Sequence, residues 1–200
     1  MTSLPIFGYN VIMSKQWIGI VGKNGSGKST VCEHLKSNGF HIFSLSDVVR
    51  DYATSKGLGH DRDTLTQLAN ELKQEHGRDY FAHVLLTKIQ DQGVDKVVFD
   101  SVRHPDELMY LKRYQVFFIG VDASVENRYQ RITQRGKQTD FVSFDDFKRQ
   151  DSYESVGDSY GQSIVATMAL CHVTINNDSH ELCNLLNEVD DIIKNKVVVE

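Results

Sequence analysis

A chain of 200 residues suits one domain of ordinary size that buries its own hydrophobic core. Its apolar runs have only strand length, which argues against a transmembrane span, and we expect no signal peptide at its start. The net charge of −5 argues against a broad nucleic-acid-binding surface, and three cysteines without a C-x-x-C pair argue against a disulfide framework or a zinc site. We therefore expect a cytoplasmic protein with no membrane or nucleic-acid partner.

The first predicted elements are a strand, a glycine-rich loop and a helix. Residues 17–30 read WIGIVGKNGSGKST, where a β-branched apolar run precedes the loop and a helical pattern follows it. The spacing G-x-x-x-x-G-K-[ST] is that of a loop whose backbone N–H groups bind polyphosphate at the positive end of a helix. We expect Lys28 to reach the β and γ phosphates of ATP and Ser29 to bind a magnesium ion. The predicted nucleotide-binding residues of the loop are Gly22, Asn24, Gly25, Ser26, Gly27, Lys28, Ser29 and Thr30.

A helix, a second strand and a helical insertion are predicted next. The helix spans 29–38 and ends at Gly39, because glycine readily adopts the left-handed conformation that ends many helices. The second strand spans 40–45. A short helix, a glycine-containing loop and two longer helices then fill an insertion of about fifty residues, which could form a substrate-binding flap.

The second half of the chain alternates strands with helices, which predicts a parallel sheet. Ser124 and Gly136 are expected to begin and end one helix, and Ser143 with Asp146 resembles a capping box that opens another. Predicted strands are 96–100, 116–121 and 173–175, and predicted helices begin at 105, 124, 143 and 182.

Charged residues follow several predicted strands. An acid at the end of a strand beside a phosphate loop holds the magnesium shell, and Asp100 occupies that place after KVVF. The alternative for Asp100 is an ordinary turn or N-cap aspartate. Arginines follow strands two, three and four, and in a parallel sheet these loops emerge at the edge that carries the phosphate loop. Transfer of a phosphoryl group requires such charges around two anionic partners, whereas surface ion pairs are the alternative for each arginine. These arginines are Arg50, Arg103, Arg128, Arg131 and Arg135.

Three segments resemble those of adenylate-kinase-like nucleoside monophosphate kinases. FSLSDVVRD at 43–51 is similar to the segment after the second strand, and FDSVRHPDE at 99–107 resembles the aspartate-glycine-x-x-arginine turn. VDASVENRYQRITQRG at 121–136 resembles the helix that leads into an arginine-bearing lid. The resemblance covers residues 16–193, and it looks closest to a branch that also resembles dephospho-CoA kinase and the kinase-like segment of some deoxycytidylate deaminases.

The resemblance implies roles for particular residues. Asp47 would help to hold the magnesium shell, and Arg50 and Arg103 would bind the acceptor phosphate. Arg128 would cover the adenine face by a cation–π contact. From the chemistry of phosphoryl transfer we also expect Lys28, Arg103 and Arg135 of the lid to act as catalytic residues that stabilise the transferring group, together with Asp47. The sequence departs from the family pattern in two places. Ser101 stands where glycine is usual, with Arg103 one residue closer than in adenylate kinase, and Gln150-Asp151 stands where arginine and aspartate are usual.

We therefore predict a three-layer α/β P-loop kinase fold with a five-stranded parallel sheet and helices on both faces, and the resemblance implies the strand order 2-3-1-4-5. Residues 1–15 form an N-terminal extension, and 16–200 form one kinase domain with a substrate-binding insertion at 46–92 and a lid at about 128–150. The predicted function is transfer of the γ-phosphoryl group of ATP, with Mg²⁺, to a nucleoside or deoxynucleoside monophosphate. Dephospho-CoA kinase and a slow P-loop ATPase that acts as a nucleotide-dependent switch or assembly factor remain alternatives.

Overall fold

A computed structural model describes residues 15–136, 142–156, 163–179 and 181–197. Its central layer is an all-parallel, five-stranded sheet with the order β2-β3-β1-β4-β5, which confirms the predicted order. The strands are β1 (Gln16–Val21), β2 (His41–Ser44), β3 (Lys96–Asp100), β4 (Phe117–Asp122) and β5 (Val173–Asn176). The α-helices of the described residues are α1 (Lys28–Ser37), α2 (Leu45–Ser55), α3 (Arg62–His76), α4 (Tyr80–Gln92), α5 (Pro105–Lys112), α6 (Val125–Arg135), α7 (Phe144–Val156), α8 (Ile164–Ala169) and α9 (Leu182–Ile192).

The three inner strands are apolar at almost every position because both faces of the sheet are covered. Successive side chains of a strand point to opposite faces, so Trp17 packs in the cluster formed with α2, α3, α4 and α5, and Ile18 packs in the cluster formed with α1 and α9. Gly19 faces the first cluster. An added Cβ at Gly19 would lie 2.2 Å from the ring of Phe118, so the glycine leaves room for that ring.

Helix ends that were predicted from a glycine or a capping serine agree with the structure. Gly39 follows α1 with a φ of 85°, and Gly136 caps α6 with a φ of 64°. The Ser124 hydroxyl accepts a hydrogen bond from the backbone of Asn127 at the start of α6, and the Ser143 hydroxyl accepts one from the Asp146 backbone. The predicted caps therefore begin and end these helices as expected.

Other boundaries differ from the sequence analysis. Strand β4 begins and ends one residue later than predicted, and helix α8 was not predicted. A helix of six residues shows too little of the 3.6-residue period to be read from sequence. The closing helix α9 continues into a π-helical turn over Ile193–Val197, which hydrophobic spacing does not distinguish from an α-helix.

The predicted insertion, formed by α2, α3 and α4, belongs to the main hydrophobic core. Val49, Leu68 and Leu85 from these helices are buried in the same cluster as Phe99 of β3 and Val102. The insertion is therefore packed directly against one face of the sheet. Its position next to β3 brings it beside the strand that ends in Asp100.

Parts of two predicted segments lie outside the described residues: 1–14 of the N-terminal extension and 137–141 of the lid. Within the ranges that are described, no helix combines the length and the apolar character that crossing a bilayer requires.

Candidate nucleotide-binding site

The phosphate loop connects β1 to α1 at the carboxyl edge of the sheet. Gly25 has a φ of 79° and Gly27 a φ of 110°, values that residues with a Cβ rarely adopt. A Cβ at Gly25 would lie 2.5 Å from the carbonyl oxygen of Arg128, and one at Gly27 would lie 2.4 Å from the amide nitrogen of Asn177. The loop thus has the close backbone packing that the glycine spacing predicts.

Lys28 and Asp100 come from neighbouring elements of this edge. Strands β1 and β3 pair in parallel up to Gly19 and Phe99, so Asp100 ends the strand beside the one that leads into the loop. Both charges affect the pKa of the Cys32 thiol in α1. Its pKa is raised to about 12, mainly by burial, with Asp100 raising it further and Lys28 opposing this. Both charges influence the pKa of this thiol, and the pairing of β1 with β3 places the loop of the predicted lysine and the predicted magnesium ligand at the ends of neighbouring strands.

Within the loop, the Lys28 ammonium donates a hydrogen bond of 2.7 Å to the backbone carbonyl oxygen of Lys23. The Lys28 side chain therefore points back toward the phosphate loop. The Ser29 side chain is exposed at the first turn of α1, and Thr30 is half-buried next to it. Asn24 is exposed at the tip of the loop.

Ser101 adopts a left-handed backbone conformation directly after Asp100, with a φ of 63°. The Ser44 hydroxyl at the end of β2 donates to the Ser101 hydroxyl at 3.1 Å, and Ser101 donates to the Asp100 carboxylate at 3.2 Å. Serine thus keeps the conformation for which glycine is usual, and it adds a hydrogen bond that orients Asp100. The serine in place of the usual glycine therefore gives Asp100 a hydrogen-bond donor that glycine would lack.

Arg103 lies at the end of the same turn with an exposed side chain. Its guanidinium makes no hydrogen bond or ion pair with any residue whose placement is described, whereas its backbone is held at both ends. The Arg103 N–H donates to a carboxylate oxygen of Glu107 at 2.9 Å, and the Arg103 carbonyl accepts from the Ser163 N–H at 2.9 Å. The side chain is available for an anion at the carboxyl edge.

Asp47 and Arg50 lie one turn apart on α2 and form an ion pair of 2.9 Å. Their side chains are 62% and 48% exposed, respectively. Helix α2 begins at the end of β2, and Ser44 of β2 is in register with Asp100 of β3. The two predicted substrate-binding residues are thus brought to the same edge as Asp100, paired with each other.

The prediction that Arg128 stacks on adenine does not fit its surroundings. The residue is only 2% exposed, and its guanidinium forms a bidentate pair with Asp151 at 2.6 and 2.8 Å. It also donates to the carbonyl oxygens of Ala123 and Asn24 and lies 5.6 Å from the ring centroid of Phe147. Arg128 therefore connects α6 and α7 to the phosphate loop from inside the protein, which leaves no open face for a base.

Arg131 and Arg135, on the same helix, also contact the phosphate loop. Arg131 is half-buried and donates to the carbonyl oxygens of Asn177 at 2.7 Å and Ser26 at 3.5 Å. Arg135 is exposed and lies 3.5 Å from the side-chain oxygen of Asn24. The predicted lid arginine Arg135 is thus brought to the loop.

The loop after β5 was missed as part of the site. The Asn177 side chain donates to the Ser26 carbonyl at 2.8 Å and is buried. Asp178 accepts hydrogen bonds from the Ser124 N–H and the Asn127 side chain, which lower the pKa of its carboxyl to about 2. No motif marks these residues, and only their place after a parallel strand could have pointed to them.

The fold and this glycine-rich loop define a P-loop domain of the kinase-like class. The AAA domain family model matches residues 18–153, so the chain belongs to this family, and its identity with curated relatives shows that it also belongs with the UPF0200 proteins. It is 36% identical over 139 residues to a UPF0200 protein of Pyrobaculum aerophilum, across 68% of this chain and 76% of that protein. It is 30% identical over 180 residues to a UPF0200 protein of Methanocaldococcus jannaschii, across 88% of each chain.

Solved structures show the same fold at low sequence identity. TT1252 from Thermus thermophilus has a TM-score of 0.64 and 17% identity, over 93% of this chain and 100% of that one. Shikimate kinase from Acinetobacter baumannii, in complex with shikimate, has a TM-score of 0.56 and 16% identity, over 93% and 97%. These similarities confirm the P-loop kinase fold. The predicted nucleoside monophosphate kinase branch stays a prediction.

Proposed function

We propose that this protein transfers the γ-phosphoryl group of ATP to the phosphate of a nucleoside or deoxynucleoside monophosphate. The observation that carries the proposal is the meeting of a phosphate loop, Asp100 and separate arginines at one edge of the sheet. Phosphoryl transfer depends on positioning and charge neutralisation rather than on covalent chemistry by the protein. The arrangement supports that kind of reaction.

The residues present fit ATP and Mg²⁺. Gly25 and Gly27 have positive φ values and leave no room for a Cβ next to the Arg128 backbone and the Asn177 side chain. The loop they form ends at the N-terminus of α1, where backbone N–H groups favour a polyphosphate. Ser29 and Asp100 offer the oxygen ligands that Mg²⁺ prefers, and a bound Mg²⁺ would neutralise charge on the phosphates. The described residues contain no cluster of three or more acidic, histidine or cysteine side chains that could hold a metal alone. One or two protein oxygens together with phosphate oxygens are the usual set for Mg²⁺ in such enzymes.

Arg131 replaces Arg128 as our candidate for contact with the adenine of ATP. It is half-buried, and its hydrogen bonds to the carbonyl oxygens of Asn177 and Ser26 hold the guanidinium next to the phosphate loop. A planar guanidinium held at its edge by carbonyl groups keeps a face on which a base can stack.

On the acceptor side, Arg103 and Arg50 are the proposed phosphate ligands. Arg50 is paired with Asp47, but an exposed pair of this type contributes only about 0 to 1 kcal/mol. A charge-assisted hydrogen bond to a phosphate contributes roughly 1.5 to 3 kcal/mol. Arg50 can therefore exchange its carboxylate partner for an acceptor phosphate, and Asp47 would then be available to help hold a magnesium ion.

A coupled ADP-release assay tests the proposal with ATP, Mg²⁺, the common ribo- and deoxynucleoside monophosphates, and dephospho-CoA. One monophosphate should stimulate ADP release several-fold, and Lys28→Ala should abolish the stimulation. Lys36→Ala, an exposed change on the same helix α1, is the matched control and should behave as wild type. Equal turnover by Lys28→Ala and wild type would contradict the proposal. Dephospho-CoA as the best acceptor would contradict the acceptor assignment alone.

A second candidate function is slow ATP hydrolysis that signals a nucleotide state to a partner. Two observations support it: Arg128 forms a buried ion pair with Asp151, and Gln150 stands where an arginine is usual. The region around the lid therefore has fewer cations that could stabilise the transferring group. This function predicts an ADP-release rate that no acceptor changes. Stimulation by a single monophosphate separates the two candidates.

A further inference from the structure

A buried ion pair joins the helical insertion to the turn that carries Arg103. The Lys73 ammonium of α3 lies 3.0 Å from a Glu107 carboxylate oxygen of α5, and the side chains are 8% and 3% exposed. The second carboxylate oxygen accepts hydrogen bonds from the N–H groups of Arg103 at 2.9 Å and His104 at 3.1 Å. One carboxylate therefore holds a lysine of the insertion and the backbone of the Arg103 turn.

Capping of α5 accounts for the carboxylate at position 107, which accepts a hydrogen bond from the N-cap residue His104, but it does not account for the buried lysine paired with it. Burying two charges costs free energy, and well-packed apolar side chains of similar volume would hold α3 against α5 at least as firmly. An apolar side chain at position 107 would leave the N–H groups of Arg103 and His104 without their acceptor. A carboxylate at 107 without Lys73 would be a buried charge without its counter-ion.

The backbone of Arg103 is the part of this residue that the protein fixes. Its N–H is bound to Glu107 and its carbonyl to the Ser163 N–H, while its guanidinium extends into solvent without a described partner. Two residues earlier, Ser101 has the left-handed φ of 63°. The direction of the Arg103 side chain is thus set by the turn, and the turn is set by Glu107.

We infer that Lys73 and Glu107 are positioning residues that hold the Arg103 turn in the conformation that receives the acceptor phosphate, and that they couple this turn to the insertion. The inference rests on the proposed role of Arg103. Neither residue touches substrate. Their effect should therefore appear in the reaction with the acceptor and be absent from the binding of ATP.

A double-mutant cycle tests this coupling on the full chain. The variants are Lys73→Met, Arg103→Ala and the two combined, with ATP and the monophosphate of highest kcat/KM among the common ribo- and deoxynucleoside monophosphates. Displacing a substrate ligand by about 1 Å can cost up to about a hundredfold in rate, so we expect Lys73→Met to lower kcat/KM for the acceptor by roughly ten- to a hundredfold. The KM for ATP should stay within about twofold. In the Arg103→Ala background, Lys73→Met should have no further effect on the acceptor.

The matched control is Lys88→Met. Lys88 lies on α4 of the insertion and pairs with Asp51 at 3.6 Å, but both side chains are more than half exposed. We expect wild-type kinetics from it. Effects of Lys73→Met and Arg103→Ala that multiply would overturn the positioning role and leave the proposed function intact. If Arg103→Ala leaves the acceptor reaction unchanged, the proposed role of Arg103 and this inference both fail.

The charge left unpaired in Lys73→Met can prevent folding, so Lys73→Met/Glu107→Met provides a second route. It removes both charges and keeps apolar contact between α3 and α5. Its thermal midpoint reports on folding, and assays below that midpoint should show a loss in kcat/KM for the acceptor of the size seen with Arg103→Ala, with KM for ATP unchanged. A folded double variant with wild-type acceptor kinetics would overturn the inference.

Discussion

The backbone of Ser101 is in an unfavourable conformation, whereas its hydroxyl makes favourable hydrogen bonds. An L-residue in the left-handed region costs roughly 1 to 2 kcal/mol, and Ser101 adopts it with a φ of 63°. In return its hydroxyl links Ser44 to the Asp100 carboxylate. Strain that is retained next to a candidate metal ligand is typical of functional sites.

Ser101→Gly and Ser101→Ala separate strain from hydrogen bonding. Both variants lose the hydroxyl, but only glycine relieves the backbone. We expect Ser101→Gly to be more stable than Ser101→Ala by about 1 kcal/mol in urea unfolding, since the strain relieved exceeds the greater entropy of an unfolded glycine. Ser37, in α1 with an ordinary backbone, is the control, and there alanine should be the more stable. The same order at both positions would contradict the strain at Ser101.

His104 contributes a pH-dependent term to stability. Its ring nitrogen Nδ1 accepts a hydrogen bond from the Asp106 N–H, which requires that nitrogen to be unprotonated. Burial lowers the pKa of His104 below its ordinary value of 6.5, against the opposing effect of Asp106. The unfolded chain therefore binds more protons, and the contribution of His104 is complete above pH 6.5 and lost as the pH falls through 6.5 toward the folded pKa.

The measurement is the free energy of unfolding between pH 7.5 and about 5.5, for wild type and His104→Asn. Asparagine can still cap α5 but does not titrate, so the variant should lose less stability on acidification. His172, whose pKa burial also lowers, remains in both proteins and contributes equally. Asp61, Asp146 and Asp178 have pKa values lowered from 3.8 and act below this range. Parallel curves for the two proteins would contradict the assignment to His104.

The residues that could be predicted from sequence are those whose role is encoded in adjacent positions. The phosphate loop was predicted because its glycines and Lys28 are constrained by one local backbone path. Arg128 was given the wrong environment, because its burial depends on Asp151, which lies 23 residues away on another helix. Asn177 was missed because its contact with Ser26 spans 151 residues and leaves no local pattern.

At the scale of elements, α6 carries three arginines with different surroundings. Arg128 is inside the protein between α7 and the phosphate loop, Arg131 lies against the loop after β5, and Arg135 is exposed beside Asn24. All three follow β4, so the sequence analysis placed them together at the carboxyl edge of the sheet. Helix α7 packs over Arg128 through Asp151 and Phe147, so Arg128 has a structural role, whereas Arg131 and Arg135 remain accessible.

Arg128→Met and Arg135→Met test this division. Removing one partner of a buried ion pair costs about 3 to 5 kcal/mol, so Arg128→Met should be strongly destabilised, with Asp151 left without its counter-ion. Arg135→Met should lie within about 0.5 kcal/mol of wild type, as is usual at exposed positions, and should lose activity instead. Thermal unfolding and kcat together check both. A stable Arg128→Met variant with reduced ATP affinity would favour direct contact between Arg128 and the nucleotide.

Element boundaries were predictable where a capping residue encodes them. Ser124, Gly39 and Gly136 act through their own backbone or side chain, and their helices end or begin as expected. The limits of β4 depend on pairing with β1 and β5, which a single strand does not specify. The short helix α8 is stabilised by tertiary packing of Ile164 and Thr167 rather than by a repeated pattern.

For the whole molecule, the order of the strands determines which residues can meet. Placing β1 between β3 and β4 brings the ends of three strands, and the loops after them, around the phosphate loop. Alternation of strands and helices predicted a parallel sheet, while the family resemblance supplied its order. Neither could predict that the insertion is joined to the Arg103 turn through Lys73 and Glu107, since these residues lie on different helices and meet only in the folded protein.

The central claim is that the γ-phosphoryl group passes from ATP to a small acceptor at this edge of the sheet. The most direct measurement uses ATP labelled in the γ-phosphoryl group, with Mg²⁺ and each nucleoside monophosphate in turn, and identifies the labelled product by chromatography. We predict label in the corresponding nucleoside diphosphate for wild type and none for Lys28→Ala. Label found only in inorganic phosphate, at a rate that no monophosphate changes, would contradict the account and favour the ATPase.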